Sequence, residues 1–315
     1  MKLDKFWLGA LVVLGAGYAF TLLTNNDFYF FASYVVLQGV IMAVAWNILG
    51  GFTGYVNFGS AGFFAVGAYT TIFLNKAFAL PLPVMILAAG VVCGLLGLGA
   101  GYLTLRLKGV YFAIATLAMA IVFETIAVNW EYVGGAGGAY VLRPKDSFIF
   151  DSYIELLFML MVVLAIVATA TSRYLSTSRI GQGLAAIRDD EVAAEAMGVP
   201  TLRLKLISAT TMGVLMGVAG APYPFFVTFV DPVSAFALLV AVNAIAMPMI
   251  GGTSVWYGPV IGALLLGLAQ EISTVTISSE INLLIVGVTL VLFITLAPQG
   301  IVGLAHQMLG KGRLR

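Results

Sequence analysis

Apolar runs close to 20 residues long recur from one end of this chain to the other, and that recurrence constrains its fold more than any single motif. A helix needs roughly 20 residues, at about 1.5 Å each, to cross a hydrocarbon core. In lipid every backbone polar group must be satisfied internally, so such runs fold as a bundle of membrane helices. Composition agrees: 61% of the 315 residues are hydrophobic and 9% are charged, whereas a soluble domain is about a quarter charged. Little is left over for a large soluble unit. The whole chain, 1–315, reads as one transmembrane domain with a cytoplasmic loop at 172–205 set within it.

Glycine, proline and charge divide the runs into ten expected spans, near 6–24, 28–49, 61–75, 83–105, 109–128, 153–171, 206–229, 235–250, 259–276 and 282–297. The predicted fold class is all-α, a polytopic membrane helical bundle of about ten spans (8–10). The third, eighth and tenth runs are short for a perpendicular crossing, which points to broken or re-entrant helices there. The start, MKLDKFWLGALVVLGAGYAF, has the basic head and apolar centre of a signal peptide, but lacks a clean small-x-small cleavage site before Asn25. It reads as the first span.

Lysine and arginine orient the bundle. With a cytoplasmic N-terminus, the inner segments hold Lys2, Lys5, Arg106, Lys108, Arg173, Arg179, Arg188, Arg203, Lys205, Lys311, Arg313 and Arg315, against Lys76, Arg143 and Lys145 outside. Positive charge concentrates on the cytoplasmic side of membrane proteins, so both termini are expected there.

Several function classes fall away. The single cysteine, Cys93, can form neither an internal disulfide nor a cysteine-based zinc site, and the single histidine, His306, excludes a histidine-rich metal centre. No basic stripe with interleaved aromatics suggests nucleic acid. No paired carboxylates, nucleophile with base, or metal cluster suggests an enzyme. The G-x-x-x-x-G-K-[ST] phosphate loop is absent, and the GKGRLR tail lacks its pattern, so ATP-driven work would need a separate subunit.

One segment breaks the apolar pattern: GQGLAAIRDDEVAAEAMGVP, residues 181–200, lies in the longest inner loop. Its alanines favour helix, and Val199-Pro200 stops it. Asp189 and Asp190 suit a cap for the second half, with Gly198 at the C-terminal end. On a continuous helical wheel Leu184, Ile187, Arg188, Glu191 and Glu195 share one sector, a mixed face suited to docking into a groove on another protein. A solvated loop helix is the competing reading of the same charges.

The order of residues goes further than the wheel. SRIGQGLAAIRDDEVAAEAMGVP resembles the EAA loop of ABC-importer permeases, in the version carried by branched-chain amino acid permeases of the LivM type. GGFTGYVNFGSAGFFAVGAYT at 50–70, LRLKGVYFAIATLAMA at 105–120, GGTSVWYGPVIGA at 251–263 and APQGIVG at 297–303 are similar to further elements of that family. The sequence departs from its pattern at Asn57-Phe58, and at Asn243 and Pro248 inside an apolar run. The resemblance implies a permease subunit of an importer of leucine, isoleucine, valine or related small solutes. It implies a bacterial-type inner membrane, ABC ATPase subunits that use ATP and Mg, a second homologous permease, and a periplasmic or lipid-anchored substrate-binding protein; no cofactor is expected in this chain. Carried onto this chain, the ATPase-coupling residues are Gly181, Leu184, Ile187, Arg188, Asp189, Asp190, Glu191, Glu195 and Gly198. A self-sufficient secondary transporter or channel is the rival class, and would want intramembrane ion sites that two boundary acids, Glu124 and Glu271, supply poorly.

For the solute's path, the glycines between 50 and 67 allow close helix approach, and Tyr55, Asn57, Gly59 and Ser60 among them suit a broken helix lining a pathway. Thr116, in the Gly-rich family element that follows, and Glu124, near the outer end of its span, complete the candidate set. Close packing explains the same glycines, and snorkelling to the interface explains Glu124. The outer loop, 129–151, is Gly-rich and mixed in charge, suited to contact with a soluble binding protein; an unattached loop is the alternative. GGFTGYVNFGSAGFFAVGAY and GGTSVWYGPVIGALLLGLAQ share a faint likeness, too unevenly spaced to define a repeat.

Overall fold

The structure, a computed structural model, describes residues 5–24, 26–144 and 150–276, together with 284, 287, 288, 291 and 300–304. The tenth expected span, 282–297, lies almost wholly outside the described residues, as does His306. Helices follow one another as α1 (Lys5–Leu23), α2 (Asp27–Thr53), α3 (Ser60–Phe78), α4 (Leu82–Thr104), α5 (Val110–Val128), α6 (Tyr153–Thr177), α7 (Arg179–Asp189), α8 (Glu191–Ala196), α9 (Thr201–Gly220), α10 (Tyr223–Val227), α11 (Pro232–Ala235), α12 (Leu238–Gly251) and α13 (Gly258–Thr276). Two two-residue strands, β1 (Ala139–Tyr140) and β2 (Phe229–Val230), pair antiparallel with Ala139 opposite Val230.

Seven stretches are long and apolar enough to cross a membrane: α1, α2, α4, α5, α6, α9 with α10, and α11 with α12. The protein is an all-α, multi-pass membrane protein. Helix α3 is as long as α1 but carries Ser60, Tyr69, Thr70, Thr71, Asn75 and Lys76, and α13 contributes a shorter apolar stretch, Gly258–Thr274. Contacts sort the connections between two ends. At one end, here the loop end, Arg173 near the close of α6 lies over the rings of Phe6 and Trp256, and α7 and α8 sit beside the α2–α3 connection. At the far end, Lys76 donates to the Tyr132 carbonyl and Arg143 to the carbonyls of Phe225 and Phe226. The loop from 129 is therefore anchored to the bundle, through β1 and Arg143.

Small residues decide which helices touch most closely. Gly90, Gly94, Gly97 and Gly101 form a stripe on α4 that meets Ala209, Thr210 and Val214 of α9. A Cβ on Gly97 would come 2.8 Å from the Ala209 carbonyl oxygen, and one on Gly213 2.5 Å from that of Cys93. Within lipid, helices associate by van der Waals contact, and bare backbone permits the closest approach. Buried Cys93 joins this seam and donates its thiol to the Phe63 carbonyl at 3.2 Å, which brings α3 onto the same pair. On the other flank Phe20, Phe30 and Phe158 lock α1, α2 and α6 with ring centroids 5.5–5.8 Å apart.

Sequence punctuation misplaced several boundaries. Helix α6 continues to Thr177 and α9 begins at Thr201, so Arg173, Arg203 and Lys205 belong to the long helices, and the loop's own helix pair occupies 178–200. Charge near the end of a span had looked like loop; here the helix carries it to a partner or to the interface. The run at 206–229 ends at Gly220, before Pro222 opens α10, and the run at 235–250 splits at Phe236 into α11 and α12. The short third run is one continuous helix, and the break lies before it, at 54–59. Pro248 sits within α12 without ending it.

Candidate coupling site and solute pathway

Helix α7 starts where the Ser178 hydroxyl accepts from the Gly181 amide, at 3.5 Å. Leu184 and Ile187, on its inner face, are fully buried against the bundle, and α7 packs on α2, α6 and α9. The helix does not run on into α8. Asp190 adopts an extended backbone (φ −159°, ψ 108°), and its carboxylate accepts from the amides of Val192 and Ala193 at 2.9 and 3.0 Å, starting a new six-residue helix. Gly198, at φ +85°, closes that helix, with its amide on the Glu195 carbonyl and that of Val199 on Ala194. Such a left-handed position favours glycine, which has no Cβ to strain.

This break splits the five-residue sector that a continuous wheel would form. Glu191 turns inward, while Glu195 stays exposed together with Asp189. The Glu191 carboxylate accepts from the Tyr55 hydroxyl at 2.5 Å and from the Lys205 ammonium at 2.8 Å. Lys205, only 3% exposed, also donates to the Tyr55 hydroxyl and to the Leu105 carbonyl, both at 3.0 Å. All three ammonium protons are used, as a buried charge requires. Burial opposes ionisation of Glu191, yet the Lys205 ammonium and the Tyr55 hydroxyl more than offset it and hold the carboxyl below its usual range. Arg188 reaches the Gly51 carbonyl at 3.5 Å and lies alongside Gly54, a cation at the C-terminal end of the α2 dipole. Arg188 thereby ties α7 to α2, and Glu191 ties α8 to the α2–α3 connection and to α9.

What α8 turns away from the bundle is Val192, 65% exposed, with Met197 just beyond its end at 86%, flanking Glu195. Between α8, the α2–α3 connection and the α4–α5 connection lies a cleft of about 570 Å³, lined by Tyr55, Lys108, Arg188 and Glu191 among others.

Five of the six pathway candidates gather next to this cleft. The Asn57 side chain accepts from the Gly59 amide at 2.7 Å and its carbonyl accepts from the Trp46 indole at 2.8 Å. Thr116 accepts from the Phe58 amide at 3.2 Å. Tyr55, Asn57, Ser60 and Thr116 are all buried, and a Cβ on Gly59 would strike the Thr116 carbonyl. The cavity that Asn57, Gly59 and Thr116 border, about 20 Å³, has room for about one water. Glu124 lies apart, half-exposed and eight residues beyond Thr116 on α5, about 12 Å along the axis at 1.5 Å per residue. The two faintly alike Gly-rich elements both serve as loop-end connectors, and Asn47 of α2 donates to the Thr253 carbonyl at 3.2 Å to join them.

Lys205, Val192 and Met197 were not singled out by sequence. Lys205 follows Pro200 by five residues and counts there only as one more inside charge, whereas the two apolar side chains in a charged loop are a signal that was available.

An all-α multi-pass bundle with a capped helix pair mounted on one end places this chain among the polytopic membrane proteins. The chain belongs to the branched-chain amino acid transport system permease component family, whose model matches residues 28–294. It is 26% identical to the high-affinity branched-chain amino acid transport system permease protein LivM of Escherichia coli (strain K12), over 97% of this chain and 76% of that protein. A probable branched-chain amino acid transport permease protein LivH of Methanocaldococcus jannaschii is 26% identical, over 80% of this chain and 84% of its own length. LivH of Escherichia coli (strain K12) is 21% identical, over 84% and 90%.

Proposed function

We propose that this chain is a membrane-spanning subunit of an ATP-driven importer that moves leucine, isoleucine, valine or closely related small solutes across a bacterial-type inner membrane. ATP and Mg are used by separate ATPase subunits, a second homologous permease completes the pathway, and a periplasmic or lipid-anchored binding protein delivers solute at the far end. The loop end is cytoplasmic: Lys5, Arg106, Lys108, Arg173, Arg179, Arg188, Arg203 and Lys205 lie towards it, and Lys76 and Arg143 towards the other. Ten spans with both termini inside fit that orientation.

The observation that carries this reading is the two-sidedness of α8. Its outward residues, Val192 and Glu195, with Met197 beyond, offer an apolar and acidic knob to a partner, and its inward residue, Glu191, is bonded to Tyr55 of the α2–α3 connection and to Lys205 of α9. A push on the knob is delivered to the bundle through Glu191. Gly181, Leu184 and Ile187 hold α7 on the bundle, Arg188 links it to α2, and Asp189, Asp190 and Gly198 shape the turn and ends of the pair.

Affinity purification from the native membrane tests it. Wild type should bring down an ATPase and a second permease. Val192→Asp with Met197→Asp should lose the ATPase while the chain stays folded and membrane-inserted; retention of a full ATPase complement by that variant defeats the docking assignment. Glu191→Gln should keep the ATPase bound but lower solute uptake per ATP hydrolysed.

A further inference from the structure

Three buried polar groups in the far-end half of the bundle have no hydrogen-bond partner among the described residues: the Tyr34 hydroxyl, the Gln38 side-chain nitrogen and the Tyr69 hydroxyl. Tyr34 is fully buried, Tyr69 is 6% and Gln38 7% exposed. Other buried orphans, such as Thr71 and Ser172, are short hydroxyls that can turn to the carbonyl one helical turn back. A phenol or a glutamine amide cannot reach its own helix backbone that way, and a buried tyrosine normally finds a partner for its hydroxyl.

The two tyrosines pack on one junction, α10 with α11, and Gln38 lies one helical turn from Tyr34. Tyr34 and Gln38 stand four residues apart on one face of α2. Tyr34 stacks on Phe226 of α10 with ring centroids 3.9 Å apart and planes 8° from parallel. Tyr223, one turn earlier on α10, meets Phe64 of α3 at 5.2 Å, and Tyr69 of α3 meets Phe236 beside α11 at 6.0 Å. Asp231, between them in sequence, caps α11 by accepting the Ser234 amide at 2.9 Å, which places its carboxylate at the head of the helix that Phe236 follows, within electrostatic reach of Tyr69 and Tyr223. Helix α10 ends at Thr228, held at φ +63°. A β-branched residue in the left-handed region is strained, and such strain collects where segments switch.

Resting on the importer reading, we propose that Tyr34, Gln38 and Tyr69 form the polar wall of a solute site at this junction, and that the site takes an α-amino acid zwitterion with an apolar side chain. The two phenols and the amide are donors for the carboxylate, the Asp231 carboxylate faces the ammonium, and the rings of Phe64, Phe226 and Phe236 receive the side chain. The Tyr34–Phe226 stack closes the site in this conformation, and the strained turn at Thr228 is where α10 swings to open it. The coupling end and the solute end are thus distinct places on the same α2.

The test uses the complete importer, with its ATPases, second permease and binding protein, in proteoliposomes fed radiolabelled leucine. Tyr34→Phe combined with Tyr69→Phe should lower uptake at saturating binding protein by about tenfold, which is ~1.4 kcal/mol, with the melting temperature unchanged or raised because no protein bond is lost. ATPase stimulation by the loaded binding protein should stay at wild-type level. Gln38→Leu should behave alike. Wild-type uptake in the double variant overturns the site, and so does a fall in uptake that tracks a fall in melting temperature, because the hydroxyls are then structural. A wild-type complex that moves no leucine overturns the importer reading itself, and the site with it.

Discussion

A lysine that spends all three of its protons inside a protein, as Lys205 does, depends on its acceptors. Glu191→Ala strands that ammonium, at about 3 kcal/mol for breaking a buried pair by one partner, and should lower the melting temperature of the detergent-purified complex. Glu191→Gln keeps an acceptor and should cost less. Because the Glu191 carboxyl titrates below its usual value in the folded protein, its stabilisation is complete above the ordinary value of 4.5 and is lost as pH falls through the lowered one. Melting temperatures of wild type and Glu191→Gln should therefore differ at pH 7 and converge only well below pH 4.5; a constant gap down the titration would deny Glu191 this role. None of this was legible in sequence. Glu191 and Lys205 stand out as charges, but which way Glu191 faces depends on the break at Asp190, and a helical wheel assumes there is none.

Elements were more legible than contacts. Apolar runs give α1, α4 and α5 within a residue of their observed limits, and α2 and α6 at their starts, because in lipid hydrophobicity and helix go together. Caps were legible too: Asp190 begins α8 and Gly198 closes it, as their chemistry predicts. Asp190→Ala should cost α8 about 1 kcal/mol, seen as faster hydrogen exchange at the amides of Val192 and Ala193, with α7 unaffected; equal protection in both variants would mean that packing alone holds α8. The α4–α9 seam makes a sharper case. Gly97→Val drives a branched side chain into the backbone at Ala209, an overpacking that costs about 1–3 kcal/mol, and should be read as a lower melting temperature of the purified chain, whereas Gly99→Val meets nothing and should be silent. The glycines announce close packing in the sequence, but not the helix they will meet.

At the scale of the molecule the hidden information was that Tyr34 and Tyr69, lone polar residues within the apolar runs of neighbouring helices α2 and α3, meet Phe226 and Phe236 from a segment far along the chain, which periodicity cannot report. Helix α2 links everything described here. Its 27 residues make a rod about 40 Å long at 1.5 Å per residue, with Tyr34 in the far-end half and the Gly51 carbonyl, bonded by Arg188, at the loop end. Near its middle, Gly39 sits against the Met247 side chain of α12. A rigid rod pivoting on that contact is a lever with its fulcrum at Gly39: a tilt of about 5° carries each tip roughly 2 Å over a 20 Å arm, and Tyr34, about 7 Å from the fulcrum, by roughly 0.7 Å, in the direction opposite to the Arg188 end. Inward travel of the handle at Arg188 is then outward travel at Tyr34, so the same stroke that tightens one end prises open the other.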